Sequence, residues 1–488
     1  MAAQPTTRWQ VSGYRFLVRR MEHALVRRDV RMLHDPMRTQ SRALAVGAVV
    51  AVVGLAGCAA LALIRPQDKI GDAQIVVGKD SGAMFVMVDD TLHPVLNLAS
   101  ARLVAGGAAT PTIVKESELD TRPRGALMGI PGAPSALPHG EPAAWAVCDA
   151  IASGGNRALT TTVIAGDPVL GDHVSELGAQ QALLVRSADT TYLVYDGKRS
   201  RIDPNDHAVS LGLGLDGVEP RPISAGLLNA IPEAPAIAPP VVADSGGVPS
   251  YPMQDKTIGS VVQVQDAQEI KYYVVLRDGL QRVSEATAKL IRYSDSQGSA
   301  GMASVTPDAV SRVPQSNALA VSSFPATAPK VVDDRSSPVS CLSWQPVPGS
   351  DGSKGDIRAT VSVIAGNALP VPADAKVVTL AQADGSGDNA DAAYLRPGTS
   401  GLVHSTGITP TSERRGAMFF VADTGVRYGV ENAETAKLLG FDDEGAAAPW
   451  PILSLLAPGP ELGRRAAFLA HDGMAPDDHP MVVSPPAR

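Results

Sequence analysis

Cysteine is scarce in this 488-residue chain, which holds only Cys58, Cys148 and Cys341. That excludes a disulfide-dense mini-protein and a four-cysteine zinc module. Aromatic residues make up 4%, too few for a surface that works by stacking on bases. Acidic residues outnumber basic ones, 50 to 42, so no nucleic-acid partner is expected. Gly and Pro, at 46 and 39 residues, stay below the ~25–30% typical of a disordered composition. Signatures of chemistry are missing too. No phosphate loop occurs, and Gly349-Ser350-Asp351-Gly352-Ser353-Lys354 lacks the loop's spacing. No H-E-x-x-H is found, and the nine His are scattered. Ala243-Asp244-Ser245-Gly246-Gly247 has the composition of a serine-protease nucleophile turn. It lies in a Pro-rich stretch with no framework for a base and oxyanion donors, so it reads as a loop. No catalytic residue, metal site or cofactor is assigned.

What is present is uneven charge. Residues 1–42 carry nine Arg and three acids, a balance of +6. No charge and no Pro fall in residues 43–64. The remainder holds 33 basic and 47 acidic side chains, a balance of −14. Residues 43–64 would span about 33 Å as a helix, enough to cross a hydrocarbon core of ~30 Å. The Arg-rich side is expected to stay in the cytoplasm, because Arg and Lys near a span resist translocation. The body then lies outside, and the protein is placed in the inner (plasma) membrane with a single pass. Gly47, Ala51, Gly54 and Cys58 recur on one helical face, where small side chains allow close helix packing in lipid. Leu55-Ala56-Gly57-Cys58 imitates a lipidation site. The 42 residues before the apolar run are too many for a signal peptide, and the run continues past Cys58. A retained anchor is therefore expected.

In the basic head, Val11, Tyr14, Leu17 (or Val18), Met21 and Leu25 recur at helical spacing. Arg15, Arg19, Arg20, Arg27, Arg28 and Arg31 occupy the other faces. One reading is a basic face beside anionic lipid. The other is a docking helix for a cytoplasmic partner, with Gln10, Val11, Gly13, Tyr14, Phe16, Arg19 and Arg20 as its contact residues. His34-Asp35-Pro36 is expected to break the helix before the span.

The acidic body repeats a hairpin followed by a helix. Its four copies start at Met84, Tyr192, Tyr273 and Phe419, and their turns lie at Asp89-Asp90, Asp196-Gly197, Asp278-Gly279 and Asp423-Thr424-Gly425. Ser100-Ala101-Arg102-Leu103, Thr287-Ala288-Lys289-Leu290 and Thr435-Ala436-Lys437-Leu438 follow three of them. Two similar inserts interrupt the series. One holds Trp145-Ala146-Val147-Cys148 and then Val163-Ile164-Ala165-Gly166; the other holds Cys341-Leu342-Ser343-Trp344 and then Val363-Ile364-Ala365-Gly366. The expected fold is a single-pass membrane protein whose α+β periplasmic region sets four hairpin-helix repeats around a β-rich central core. The boundaries follow: cytoplasmic helix 1–42, span 43–64, repeat 65–138, core insert 139–185, repeat 186–238, Pro-rich connection 239–256, repeat 257–330, core insert 331–410, repeat 411–472 and a mobile tail 473–488. Cys148 and Cys341 hold related positions in the two inserts. They are either bridged, as an extracytoplasmic location permits, or two buried free thiols.

Thr7-Arg8-Trp9-Gln10-Val11-Ser12-Gly13-Tyr14-Arg15-Phe16 ahead of a basic helix and one span resembles the EccB family. That family is a core membrane component of mycobacterial type VII (ESX) secretion. The resemblance continues through residues 93–103, Gly129-Ile130-Pro131-Gly132-Ala133-Pro134, Gly425-Val426-Arg427-Tyr428-Gly429 and Ala448-Pro449-Trp450. Residues 272–279 and 295–299 are most similar to the member from the fourth ESX locus. The resemblance implies a scaffold role in protein export and a Cys148–Cys341 disulfide. It implies self-association outside the membrane, and as partners the FtsK-like ATPase EccC, EccD, EccE and the mycosin protease. It also implies contact with peptidoglycan, and an ATPase label that this sequence supports with no Walker motif.

Overall fold

The computed structural model describes residues 6–31, 36–64, 69–154, 157–253, 255–266, 269–347, 356–385, 387–413, 416–441 and 445–473. Helix α1 (Arg8–Arg27) starts at Thr7, whose hydroxyl accepts the Gln10 N–H while the Gln10 side chain accepts the Thr7 N–H. This reciprocal cap satisfies two donors that the first helical turn leaves free. Helix α1 ends at Arg28, in the left-handed region at φ 55°. Helix α2 (Pro36–Ile64) opens on Pro36, where a missing N–H costs nothing. The expected break at His34-Asp35 lies outside the described residues, and so does the tail beyond Gly473.

Outside these two helices, the described residues form one sheet of eight strands, four smaller sheets of four to six strands, and a two-stranded pair of Leu127–Met128 with Ala470–His471. The small sheets follow one order. Three antiparallel strands form a meander, a helix follows, and a short strand then returns parallel to the meander's first strand. In the first sheet the meander is Ile75–Gly78, Met84–Val88 and Thr91–Pro94, and Thr112–Val114 returns on Ile75–Gly78. The second has Gln181–Ser187, Thr190–Tyr195 and Lys198–Ile202 with Arg221–Pro222 returning. The third has Val261–Gln265, Ile270–Val275 and Leu280–Val283 with Ala303–Ser304 returning. The fourth has Gly401–Thr406, Met418–Val421 and Val426–Val430 with Ala446–Pro449 returning.

The intervening helices are set by their caps. Asn97, Asp206, Ser284 and Asn432 each accept a backbone N–H of the first turn with a side-chain oxygen. Gly106, Gly214 and Gly440 close three of them at positive φ. The hairpin turns are less uniform than the sequence suggests. Asp196 and Gly197 both take positive φ, and so do Asp89 and Asp90 without any Gly. Gly279 does not. A Cβ there would lie 2.4 Å from the Pro314 carbonyl oxygen, so close approach requires this Gly.

The large sheet runs Val378–Thr379, Ala392–Leu395, Leu159–Ala165, Trp145–Ile151, Val339–Pro346, Asp356–Gly366 and Thr411–Glu413, with Val174–Glu176 also on Asp356–Gly366. Both inserts contribute a hairpin to it. They meet where Trp145–Ile151 pairs with Val339–Pro346, in a register that sets Trp145 opposite Trp344 and Cys148 opposite Cys341. Two strands lie across the expected boundaries: Gln181–Ser187 belongs to the second small sheet, so a core insert of 139–185 splits it, and Gly401–Thr406 belongs to the fourth although the expected insert runs over 331–410. In each case the hairpin takes an earlier strand as its third member, since a two-stranded ribbon has too little apolar surface to stand alone.

The small sheets pack in pairs through their helices. Helix Leu98–Ala105 meets Ala433–Leu439 over a core shared by the first and fourth sheets, with Phe420, Leu103 and Leu439 at its centre. Helix His207–Leu213 meets Glu285–Ser294, and Gly212 sits against Leu290. A Cβ on Gly212 would lie 2.9 Å from Leu290 Cδ2 and 3.3 Å from the Leu290 backbone nitrogen. Gly212→Leu is therefore expected to destabilise the body by about 1–3 kcal/mol through overpacking. Thermal unfolding of detergent-solubilised protein measures this, and an unchanged Tm would refute the close packing.

Candidate functional site

No cleft of converging catalytic groups defines this protein among the described residues. The candidate sites are an anchor, a docking helix and the join of the large sheet. Helix α1 exposes Trp9 at 87% and Tyr14 at 70%, along with Phe16, Leu17, Met21 and Leu25. A soluble monomer buries such side chains, so this much exposed apolar surface marks an interaction face. Of the expected docking residues, Val11, Tyr14, Phe16, Arg19 and Arg20 are exposed. The Gln10 side chain is used by the cap. Gly13 has nothing within 4 Å of a built Cβ, so no close approach within the chain requires it.

In helix α2, the 23 residues Thr39–Leu61 are long and apolar enough to cross a membrane, and none of that stretch is buried. A core helix of a soluble domain would be covered, and this one is bare on every side. Gly47 and Gly54 have no atom within 4 Å of a built Cβ, and Ala51 and the free thiol of Cys58 are exposed beside them. That face has no partner within the chain's described residues.

The join of the large sheet is covalent. Cys148 and Cys341 form a disulfide across 193 residues of sequence, and both are buried. Next to Cys148 lies Asp149, 1% exposed. Its Oδ1 accepts the Thr161 hydroxyl at 2.9 Å and its Oδ2 accepts the Ser224 N–H at 2.7 Å. The Thr161 N–H is accepted by Asp391 Oδ2 at 2.8 Å, and Asp391 Oδ1 also accepts the Asp384 and Gly385 N–H groups. Arg221, also buried, donates to the Ser337 and Pro338 carbonyls at 3.0 Å each. Burial pushes the Asp149 carboxyl above its usual range, opposed by the Ser224 and Thr161 hydrogen bonds and by the Arg221 cation. Burial lowers the Arg221 guanidinium to about 10. Asp149 and Arg221 thus tie the two inserts to the second small sheet, and Asp391 ties the second insert to the first. Sequence reasoning missed this network, because no motif marks Asp149 or Asp391.

Ser245 has an ordered role after all. Its hydroxyl donates to Asp295 Oδ2 at 3.1 Å and accepts from Gln297 Nε2 at 2.8 Å. Asp244 pairs with Arg277. The segment that imitates a nucleophile turn ties the Pro-rich connection to the third small sheet.

One bare helix long and apolar enough to span a membrane among the described residues, an exposed amphipathic head and a multi-sheet α+β body fit a membrane-anchored assembly subunit. The chain belongs to the EccB family of type VII secretion: the model described as Type VII secretion system ESX-1, transport TM domain B matches residues 3–476. It is 42% identical over 483 residues to a Mycolicibacterium smegmatis protein named ESX-3 secretion system ATPase EccB3, covering 96% of this chain and 91% of that one. It is 37% identical over 496 residues to the Mycobacterium tuberculosis protein named ESX-5 secretion system ATPase EccB5, covering 99% and 96%. Among solved structures, a chain of an intact ESX-5 inner membrane complex aligns with a TM-score of 0.76 at 35% identity, over 99% of both chains. A chain of an EccB3 dimer from the ESX-3 core complex aligns with a TM-score of 0.71 at 36% identity, covering 81% of this chain and all of that one.

Two measurements test the join. Breaking the disulfide by Cys148→Ala with Cys341→Ala should cost about 2–5 kcal/mol, the range for a native crosslink closing a long loop. The double variant and the reduced parent should unfold at the same temperature, below the oxidised parent. Asp149→Asn tests the carboxyl. A raised folded pKa means the folded state holds the proton more tightly. The stability this adds is complete below the ordinary value near 3.9 and is lost as pH rises through the folded value. The parent's stability relative to Asp149→Asn should accordingly fall as pH rises above about 4, which denaturation at several pH values reads directly.

Proposed function

We propose that this chain is a structural scaffold subunit of a type VII secretion membrane complex. The observation that carries the proposal is the end-to-end likeness, over 99% of both chains, to a chain of an intact ESX-5 inner membrane complex. Nine Arg before the span and an acidic body after it favour a cytoplasmic head and a periplasmic body. A buried disulfide within the body fits the same orientation, because disulfides persist outside the cytoplasm.

The work is then divided along the chain. The four small sheets are four copies of one repeat, and the large sheet is the core that holds them. The head docks cytosolic and membrane partners through Val11, Tyr14, Phe16, Arg19 and Arg20. The face of Gly47, Ala51, Gly54 and Cys58 packs in a helix bundle. The body associates with a second copy, as the EccB3 dimer of a relative suggests. The partners are those the family implies: the FtsK-like ATPase EccC, EccD, EccE and the mycosin protease. The likeness of residues 272–279 and 295–299 to the fourth-locus member belongs to this proposal. Contact with peptidoglycan would add to the scaffold role.

A hydrolytic role is the second reading, because relatives carry the word ATPase in their names. Against it stand the lack of a Walker motif in the sequence and the placement of the body where ATP is scarce.

Native mass and composition after gentle detergent extraction decide between them. The expected outcome is a large assembly that contains an FtsK-like ATPase, with no nucleotide turnover by the purified chain alone. Tyr14→Ala with Phe16→Ala should reduce co-purification of that ATPase by about tenfold or more, since buried aromatics dominate interface energy. A lone monomer or simple dimer, or saturable hydrolysis by the pure chain, would overturn the proposal.

A further inference from the structure

Helix α1 has two bare apolar sides, not one. Its 3.6 residues per turn set Leu17, Met21 and Leu25 in one row, four residues apart, headed by Tyr14 and bordered by Val18. Trp9 and Phe16, seven residues apart, lie about 130° round the axis from that row, with Arg20 between the two sides. Leu17, Met21 and Leu25 are 60%, 63% and 77% exposed, and Trp9 and Phe16 are exposed as well. A groove in a partner takes one stripe of a helix, read at i, i+3, i+4 and i+7. Two surfaces are therefore needed to cover both sides. The sides differ in chemistry. Trp9 and Phe16 stand beside Arg20 and Arg27, and aromatic and Arg anchors dominate protein interfaces. The row itself is aliphatic, two Leu and a Met, and offers apolar area without such an anchor.

Position and charge select what the row meets. Arg27 lies twelve residues before Thr39, where the stretch able to cross a membrane begins. Even fully extended, that length reaches only about 40 Å. The span therefore holds α1 beside the bilayer, and a lipid contact gains from the short tether. Helix α1 carries five Arg and one acid, Glu22, and residues 1–42 balance at +6. Cytoplasmic leaflets are negative, and basic segments next to a span are drawn to them. Arg20 and Arg27 flank the row on one side, and Arg15 lies beyond Val18 on the other. Their stems can follow the acyl boundary while the guanidinium groups stay with the phosphates. A helix that is polar on average, with a segregated apolar row and Arg around it, suits the interface plane rather than the bilayer core. We propose that the row Leu17, Met21 and Leu25 lies in the headgroup boundary of the anionic leaflet next to the span, and leaves the Trp9 and Phe16 side to protein. This rests on the proposed cytoplasmic side of the head but not on which protein docks there, so it and the scaffold reading can fail separately.

The test uses the purified full chain carrying Cys58→Ser, in vesicles of phosphatidylcholine with about one-third phosphatidylglycerol. The bridged, buried Cys148 and Cys341 do not label. A polarity-sensitive fluorophore is attached through Met21→Cys or through Ser12→Cys. Ser12 stands nine residues before Met21, about two and a half turns away, and so faces the other way. Quenching by lipid with a nitroxide near its headgroup reads contact with the membrane. The label at position 21 should be quenched about threefold more than the label at position 12, with its emission shifted to the blue. Leu17→Gln with Leu25→Gln should lower quenching at position 21 to that at position 12, and Gln keeps the helix because its propensity is close to that of Leu. Phe16→Ala should leave quenching at position 21 unchanged. Vesicles of phosphatidylcholine alone should lower it about twofold or more. Equal quenching at the two positions, high or low, or quenching that survives the double Gln variant, would overturn the proposal. No change without phosphatidylglycerol would overturn the choice of an anionic surface. An unquenched label at position 21, with the FtsK-like ATPase lost from the double Gln variant, would assign the row to protein. Loss of that ATPase from Tyr14→Ala with Phe16→Ala, with the Leu17 and Leu25 variant still retaining it, supports the division between the two sides.

Discussion

The body depends on one strand pair, Trp145–Ile151 against Val339–Pro346. It joins two hairpins that lie almost two hundred residues apart in sequence, and the Cys148–Cys341 bridge locks it. Such a pairing costs loop-closure entropy before it gains any contact. The apolar side chains packed around it offset that cost, with Trp145, Val147, Leu342 and Trp344 all fully buried. Two of the small sheets pack directly on the core around this join. The second is tied through Ser224 to Asp149, and the fourth shares the same core through Val403, Phe419 and Val421.

The small sheets show how one local design can be reused with different details. Each carries a capped helix on a three-stranded meander, and each helix finds a partner on another unit. The first and fourth units share an apolar core, and the second and third meet where Gly212 admits Leu290. A repeat that cannot bury its apolar face alone needs such a neighbour. This explains how a chain with only 4% aromatic residues still builds an extended interior: small side chains, Ala and Gly above all, let helices and strands approach closely. The buried carboxylates serve the same end. Asp149 and Asp391 satisfy backbone N–H groups at the ends of strands and loops, where an unpaired donor would cost more than a typical hydrogen bond contributes.

The two N-terminal helices have the opposite character. They bury almost nothing within the chain, and their apolar surface is complete only with lipid or other helices around it. A rigid, crosslinked body and an uncovered anchor with its docking head form a sound division for an assembly component. The body can hold its shape while the span and head take theirs from the surroundings.

Much of this was legible in the residues alone. Charge and hydropathy mark the anchor, because a span obeys a one-dimensional rule: length, apolarity and flanking Arg. Turn chemistry marks the hairpins at Asp89-Asp90 and Asp196-Gly197, and cap residues mark the helices that follow. The matched Trp, Cys and Val-Ile-Ala-Gly segments bring the two inserts together. Other features are set only by the folded chain. Strands Gln181–Ser187 and Gly401–Thr406 read as ordinary apolar runs, and only pairing shows which sheet takes them. Two-residue strands such as Arg221–Pro222 have no period to read. Asp149 and Asp391 are 242 residues apart and meet through Thr161. Local sequence encodes turns, caps and a membrane span because their physics involves a few neighbouring residues. Sheet membership and buried polar partners depend on distant segments brought together, and tertiary structure alone decides them.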